Sequence, residues 1–463
     1  MPIKTRVVVV LVFFMPTCWS QSLGFLNQHN PFDSAAHMER FPVFPSVRTE
    51  PINGTFKRLL PLVDVAGQGG FPLSGKLRGG CHLDLEKSFF FLRANGFFGL
   101  YSSNSPLNAN GLDLLTTRVL QWDPSIRLGV KPTKYFNAQI GFDRNFYGEG
   151  VRSLFLSDFG KPYPFVSTRF NVGPISYQTM LSYLSDHSPQ KKFKITHFLH
   201  GSIGKKIDVQ LFEAVIFNSG DSLSNRSFDP AYLNPFIALR PQEYASGSGD
   251  NGLLGFGASV KTSSKSKLYG QFVIDDFLVS AFLNKSKYWG NKFGGQLGWK
   301  CRFEAKDIKY HFKIEANAVR PYTYAHLGAS LNYAHGSQVL AHPLGANFWE
   351  IFTQFKACQN SWAFWGELAT GAQGLDSSLM NFGSNLFMPY TNRPNDYGVS
   401  LLQGKNTSFL KTRIALSYTC KQVFFSEIFC ELLVLHFWDA TNAFTTIAPF
   451  LGIRSPIFND YRF

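Results

Sequence analysis

Apolar and polar residues alternate with a period of two along many stretches of this chain. In 308–319 the even positions are apolar, and most odd positions are lysine, histidine, glutamate or asparagine. The same alternation recurs in 174–184, 293–303 and 409–418. Successive side chains of a strand point to opposite faces, so this pattern predicts strands with one apolar and one polar environment.

The connections between the predicted strands alternate between short turns and mostly longer loops. The turns fall at 84–86, 131–133, 172–173, 204–206, 263–266, 304–307, 359–360 and 419–422. The loops are 66–73, 101–122, 143–163, 185–194, 218–251, 277–290, 320–347, 371–408 and 437–441. Short turns at one end of the strands and long loops at the other are typical of outer-membrane β-barrels.

The predicted fold class is therefore all-β: a transmembrane, outer-membrane antiparallel β-barrel of about 18 strands that begins near Leu60. Both termini lie at the short-turn, periplasmic end, and the long extracellular loops fold over or into the mouth. A secreted β-sandwich also alternates its faces. It would not separate short from long connections so regularly, nor contain 48 phenylalanines. A closed barrel, moreover, leaves no strand edge exposed to lipid.

The N-terminus has the pattern of a secretory signal peptide over 1–20. Lys4 and Arg6 precede an apolar run at 7–15, and cleavage is predicted after Ser20. Cys18 raises a lipoprotein alternative, which Thr17 fits poorly. We expect a periplasmic N-terminal extension at 21–58 and the barrel at 59–463. The terminal Phe463, with Tyr461, is predicted to be the signal for the barrel-assembly machinery, although Asn459 interrupts the alternation.

Composition and charge narrow the possible partners. Aromatic residues make up 16% of the chain and charged residues 16%, which suits two contrasting surfaces. The net charge of +14 favours acidic partners, namely anionic lipid or acidic polysaccharide. Because the signal peptide predicts export, nucleic acid is not expected as a partner. The cysteines have no CxxC spacing, which supports neither a zinc nor a redox motif.

The loop at 143–163 is the most unusual stretch of the chain. A loop of this length is uncommon unless it has a function or is disordered, and its aromatic content argues against disorder. The loop also contributes to a resemblance, which rests on the following strings: DRNFYGEG at 143–150, RSL at 152–154, LSD at 156–158, PYPF at 162–165, YLNP at 232–235, LYGQF at 268–272, RPYTY at 320–324 and AHPLGAN at 341–347.

These strings resemble the signature of the Wzi-like capsule-assembly family, and within it the gliding-motility-associated RemB-like proteins of Bacteroidetes. The resemblance runs from about residue 61 to the C-terminus. It implies an 18-stranded barrel at the surface of a Gram-negative cell that anchors capsular or extracellular polysaccharide, or takes part in adhesion or gliding. It also implies partners in motility or capsule export. The segment 21–57 matches nothing in the family.

Arginines and tyrosines on the predicted mouth loops suit the carboxylates and faces of an acidic sugar chain. The predicted lectin-like site comprises Arg144, Tyr147, Arg152, Tyr163, Arg240, Tyr322 and Tyr324. The alternative is that charged loop residues form salt bridges inside the barrel. We assign that structural network to Asp143, Glu149, Asp158 and His342. Gly148 and Gly150 are expected to permit a tight backbone.

No enzyme, metal site or cofactor is predicted. The chain has neither a GxSxG nor an HExxH motif, and the histidines of the 320–347 loop lack ligand spacing. Two hypotheses remain: a barrel that binds polysaccharide, and a diffusion channel (porin) whose basic lumen favours anionic solutes. They differ in whether the mouth loops fill the lumen.

Overall fold

The computed structural model describes residues 55–68, 74–87, 89–101, 119–185, 191–219, 249–327, 329–420 and 426–454. The predicted signal peptide, Cys18, most of the N-terminal extension, Arg240, Tyr461 and Phe463 lie outside these residues.

Eighteen long strands and a small two-stranded ribbon make up the described structure. In chain order they are β1 (Thr55–Gln68), β2 (Ser74–Lys87), β3 (Phe90–Tyr101), β4 (Val119–Val130), β5 (Phe136–Asp143), β6 (Tyr163–Val172), β7 (Ile175–Leu184), β8 (Lys191–Ile203), β9 (Ile207–Ser219), β10 (Asn251–Ser263), β11 (Ser266–Asp276), β12 (Lys292–Ala305), β13 (Ile308–Val319), β14 (Ala334–His335), β15 (Gln338–Val339), β16 (Phe348–Gln359), β17 (Trp362–Leu375), β18 (Lys405–Cys420), β19 (Ser426–Trp438) and β20 (Ala443–Arg454). A short helix, α1 (Val279–Leu283), precedes β12, and single 3₁₀ turns occupy Ala329–Leu331 and Tyr390–Asn392.

The long strands form one closed antiparallel sheet. Each pairs with the next along the chain, and β13 pairs with β16 because the β14–β15 ribbon belongs to the intervening loop. The circle closes where β1 pairs with β20, with Asp64 opposite Arg454. The predicted 18-stranded antiparallel barrel is confirmed.

The wall has an apolar exterior and a polar interior. On β12 and β13, Leu297 and Ile314 face outward and are exposed, whereas Lys313 and Glu315 face inward and are buried. This arrangement inverts that of a soluble globule and is the one expected when lipid surrounds a barrel. Among the residues that the structure describes, no helix is both long enough and apolar enough to cross a bilayer.

Some predicted boundaries are wrong, and inward-facing charges explain the clearest case. The turn expected at 84–86 lies inside β2, which continues to Lys87. Asp84 and Glu86 point into the barrel, and Arg93 Nε donates to Asp84 Oδ1 at 3.2 Å. Asp84 and Glu86, whose charges led to the predicted turn, therefore belong to the inward-facing side of a strand. The first strand also starts earlier than expected, at Thr55.

Candidate functional site

The loop between β5 and β6, residues 144–162, enters the barrel and is here called the lumen loop. Its Tyr147 N donates to Leu156 O at 3.0 Å, so the loop folds back as a narrow hairpin. Residues 151–157 of the loop are all buried. Gly148 and Gly150 have φ of +109° and +86°, which favours glycine, and a side chain at Gly150 would collide with Glu315.

The tip of the lumen loop reaches almost to the short-turn end of the wall. Glu149 accepts hydrogen bonds from Lys267 Nζ at 2.6 Å and from Lys300 Nζ at 3.1 Å. Lys267 is the second residue of β11 after the short turn, and Lys300 lies opposite it on β12. Burial would raise the pKa of Glu149, but the ammonium groups of Lys300 and Lys267 hold it below its ordinary value. The tip is therefore anchored by a charged cluster.

Arg152 anchors the middle of the lumen loop. Its guanidinium donates to the Glu350 carboxylate on β16 and lies 4.5 Å from the centre of the Phe352 ring. His342 Nε2 lies 3.0 Å from the other Glu350 oxygen, and Leu344 N donates to His342 Nδ1. Burial lowers the pKa of His342, so the neutral ring with its proton on Nε2 fits both contacts.

Apolar side chains of the lumen loop pack against the loop that joins β13 to β16. Leu154, Phe155 and Leu156 form one buried cluster with Tyr324, Tyr333 and inward-facing residues of the wall from β6 to β16. The Tyr324 hydroxyl donates to Leu154 O, and that of Tyr333 to Phe155 O, both at 2.9 Å. Two loops therefore form a packed layer inside the lumen, against the wall from β6 to β16.

Five of the predicted polysaccharide-binding residues are buried. Tyr147, Arg152, Tyr163 and Tyr324 lie inside this layer or in the wall beside it, whereas the Tyr322 hydroxyl donates to Asn381 O in the 376–404 loop. The exposed fractions are 5% for Tyr147, 1% for Arg152, 2% for Tyr163, and 0% for Tyr322 and Tyr324. Arg144 is partly exposed, and its Nε donates to Gly160 O at 2.7 Å. Direct contact between these side chains and a glycan stays a prediction; for the five buried ones it would require the loops to separate.

The predicted structural network residues pair mainly with the wall rather than with each other. Asp143 accepts from Arg127 Nε at 2.5 Å, and Glu149 and His342 make the contacts described above. Asp158 is partly exposed. The wall partners Arg127, Lys267, Lys300 and Glu350 were not predicted from the sequence. Their inward-facing positions follow from the alternation, but their pairing with the loop depends on the loop's path.

A group of aromatic rings that the sequence did not predict lies where the 277–291 and 376–404 loops meet. We call Tyr288, Trp289, Tyr390, Arg393 and Tyr397 the mouth platform. The ring centres of Trp289 and Tyr390 are 4.6 Å apart, and those of Tyr288 and Tyr397 are 5.6 Å apart. The Arg393 guanidinium lies 4.0 Å from the centre of the Trp289 ring. Tyr397 is exposed and the other four are partly exposed.

Buried polar residues hold the mouth platform in place. Lys292 Nζ lies 5.0 Å from the centre of the Tyr390 ring and donates to Asp276 at 2.7 Å. Arg320 donates to Asn291 O at 2.9 Å and lies over the Phe293 ring. Burial raises the pKa of Tyr390 above its ordinary value, so its hydroxyl stays protonated and able to donate a hydrogen bond.

Acid should weaken this part of the protein through His326, whose ring is 6.5 Å from that of Tyr390. Burial, with a further contribution from Lys292, lowers the pKa of His326 to about 4 from an ordinary value of 6.5. The folded state thus binds a proton at His326 less well than the unfolded state does. The free energy of unfolding is therefore highest above pH 6.5 and falls as the pH is lowered towards 4. We expect a loss of about 1–2 kcal/mol, allowing for partial exposure.

The measurement is the thermal midpoint of the purified barrel at pH 7 and at pH 4.5, for the wild type and for His326→Gln. Glutamine does not titrate in this range, so the midpoint should fall less in the variant. Equal falls in both proteins would exclude His326 as the source of the acid sensitivity.

In the part of the chain that the structure describes, no group of three or more potential metal-ligating side chains is present. The mouth platform offers hydrogen-bond donors, aromatic faces and the Arg393 guanidinium. These features suit the binding of a polar ligand with apolar faces.

No protein-family model and no curated protein matches this sequence. Among solved structures, the chain is similar to Wzi, an outer-membrane protein involved in group 1 capsule assembly in Escherichia coli and described as a carbohydrate-binding β-barrel. The identity is 15%, the TM-score is 0.57, and the match covers 86% of this chain and 84% of that one.

Two Pseudomonas aeruginosa proteins also match. OprD has 11% identity and a TM-score of 0.48, with 89% of this chain and 97% of that one covered. OccK5 has 8% identity and a TM-score of 0.47, with 87% and 98% covered. The likeness to Wzi shows that this chain has the fold of an outer-membrane β-barrel, and the closer resemblance to gliding-motility proteins stays a prediction.

Proposed function

We propose that this protein is a non-enzymatic, integral outer-membrane barrel that binds an acidic polysaccharide at the surface of a Gram-negative cell. The long loops face outward, and the short turns and both termini face the periplasm. The apolar exterior of the wall supports the membrane location, and the separation of short turns from long loops supports this orientation. The carbohydrate binding described for Wzi points in the same direction.

The packed lumen is the observation that carries the proposal. Barrels of 16–18 strands leave an aqueous channel when nothing fills them. Here the lumen loop reaches Lys267 and Lys300 near the opposite end, and its apolar residues are buried against the 320–347 loop and the wall. This packed layer counts against the diffusion channel and favours a barrel whose loops form a rigid binding surface.

The mouth platform is the proposed binding surface. Aromatic faces contact the apolar faces of sugar rings. The Arg393 guanidinium donates to Asp396 Oδ1 at 2.6 Å and to Tyr390 O at 3.0 Å, and its further N–H groups suit a carboxylate. Of the buried residues that were predicted to bind polysaccharide, Tyr322 supports this surface, because its ring lies edge-on to that of Trp289 with the ring centres 5.9 Å apart. Retention of capsular or extracellular polysaccharide, in capsule assembly, adhesion or gliding, is the role we assign to the site.

Trp289→Ala should lower glycan retention at the cell surface several-fold, because the indole joins Tyr390 and Arg393 in one surface. The matched control is Trp362→Ala, which removes an exposed tryptophan at the short-turn end, beside Tyr418. The measurements are surface-bound acidic polysaccharide on intact cells and the amount of folded barrel on unheated gels.

Arg393→Gln should lower the salt-sensitive part of the binding, because exposed charges are screened within about 8 Å at physiological salt. The aromatic part should persist at high salt.

If Trp289→Ala folds and retains as much polysaccharide as Trp362→Ala, the mouth platform is not the binding site.

A further inference from the structure

Helix α1 presents an apolar ridge away from the protein. The ridge consists of Phe277, Leu278, Val279, Phe282 and Leu283, which are 38%, 50%, 59%, 54% and 70% exposed, respectively. Among its neighbours, Ala281 is buried against the protein. Contiguous exposed apolar side chains of this kind mark a contact surface rather than a solvated loop.

The backbone of the apolar ridge is fixed although its side chains are uncovered. At its start, Leu278 N donates to Asn291 Oδ1 at 2.6 Å. Beyond its end, Val399 N donates to Lys287 O at 3.0 Å. Both ends of the segment are therefore tied to neighbouring loops, and the ridge is held in one position before any partner arrives.

A chain of phenylalanine rings joins the apolar ridge to the exterior of the barrel. Ring centres are 5.2 Å apart for Phe282 and Phe277, 6.1 Å for Phe277 and Phe293, and 5.9 Å for Phe293 and Phe272. Phe272 is an exposed, outward-facing residue of β11. The ridge thus continues the apolar surface of the wall beyond the ends of β11 and β12.

Two exposed lysines, Lys285 and Lys287, follow directly after the apolar ridge. Both have φ near +50°, in the left-handed region that costs a non-glycine residue about 1–2 kcal/mol. An apolar helix followed by lysines is the pattern of elements that lie in a membrane interface. Anionic headgroups attract lysines at that depth.

We propose that the apolar ridge is an anchor in the outer leaflet of the membrane. Its side chains enter the boundary between headgroups and acyl chains, while Lys285 and Lys287 bind the phosphates of lipid A in lipopolysaccharide. The inference rests on the outer-membrane location proposed above, but not on polysaccharide binding. A second copy of the chain is a poorer partner, because a stable interface needs about 800 Å² from each side and five partly exposed side chains fall short of it.

The anchor has a consequence for the mouth platform. The segment that contains the apolar ridge continues into Tyr288 and Trp289 and is tied to the loop that contains Arg393 and Tyr397. Lipid contact at the ridge therefore fixes the platform at a defined height above the membrane.

Photo-crosslinking in living cells tests the anchor with the full chain. In Leu283→p-benzoylphenylalanine the probe replaces the most exposed residue of the apolar ridge; in the control, Leu379→p-benzoylphenylalanine, it replaces an 82% exposed leucine of the 376–404 loop. We expect an adduct that reacts with an antibody to lipid A at position 283, several-fold stronger than at 379. Adding Lys285→Gln and Lys287→Gln should lower its yield several-fold.

An adduct of position 283 with a second copy, with another segment of the same chain, or with nothing at all would overturn the proposal. A lipid A adduct that the lysine changes leave undiminished would overturn phosphate binding by these lysines. Surface polysaccharide measured on the same cells separates this result from the proposed function. If no lipid A adduct forms at position 283 while polysaccharide retention stays normal, the lipid anchor is wrong and the proposed polysaccharide binding is unaffected.

Discussion

Removal of the lumen loop is expected to open an ion-conducting passage through the barrel. Asp143 and Tyr163 lie opposite each other in the register of β5 and β6, so a two-residue Asn-Gly turn is able to replace residues 144–162 and join the strands as a hairpin. The replacement removes Leu154, Phe155 and Leu156 from the lumen. Inward-facing lysines and glutamates of the wall would then line a wet passage.

The measurement is single-channel conductance in planar bilayers. We expect no resolved current steps for the wild type and discrete steps for the replacement. The open channel should prefer anions, because Lys267 and Lys300 lose their partner Glu149 and face the passage. Glu149→Gln is the control: it weakens the tip of the lumen loop but keeps its apolar layer, so it should stay largely closed. Equal conductance of the wild type and the replacement would favour the diffusion channel over the binding protein.

Glu350→Ala is expected to release the lumen loop from the wall. The change leaves the Arg152 guanidinium buried without its carboxylate and removes the acceptor from His342 Nε2. Breaking a buried ion pair by removing one partner costs about 3–5 kcal/mol. Strand pairing holds the wall, so the cost should appear as local opening of the loop. Amide exchange in 151–157 should rise about 10²–10³-fold.

Hydrogen exchange with mass spectrometry gives the result peptide by peptide. The matched control is Glu431→Ala, which removes an equally buried glutamate that accepts from Arg413 in the wall. It should leave exchange in 151–157 unchanged. In the double variant Arg152→Met and Glu350→Leu no charge is left unpaired, so much of the protection should return. Slow exchange of residues 151–157 in Glu350→Ala would show that the Arg152–Glu350 ion pair contributes little to holding the lumen loop against the wall.

These predictions revise what Arg152 was expected to do. From the sequence, arginines beside tyrosines on a mouth loop predicted contact with a sugar. The structure places the Arg152 guanidinium in the lumen, 1% exposed, against Glu350 and Phe352. Arg152→Ala should therefore act on the packing of the loop first, and on polysaccharide retention only through it.

The sequence by itself determined the wall of this protein. A strand has a period of two residues, so alternation in a stretch such as 308–319 shows both the strand and which face meets lipid. Turn and loop lengths then distinguished the short-turn end of the barrel from the long-loop end. The local pattern gave a wrong prediction at Asp84 and Glu86, because charged side chains that face the lumen were interpreted as a turn.

The tertiary structure alone decided where the loops go and what their charges contact. Glu149 and Lys267 are 118 positions apart, and Arg152 and Glu350 are 198 apart. Such pairs depend on the path of a loop through the lumen, which follows from the packing of its apolar residues against other loops and the wall. The mouth platform arises in the same way, because Trp289 and Tyr390 meet only where two loops fold together. No periodic pattern within either loop predicts that contact between Trp289 and Tyr390.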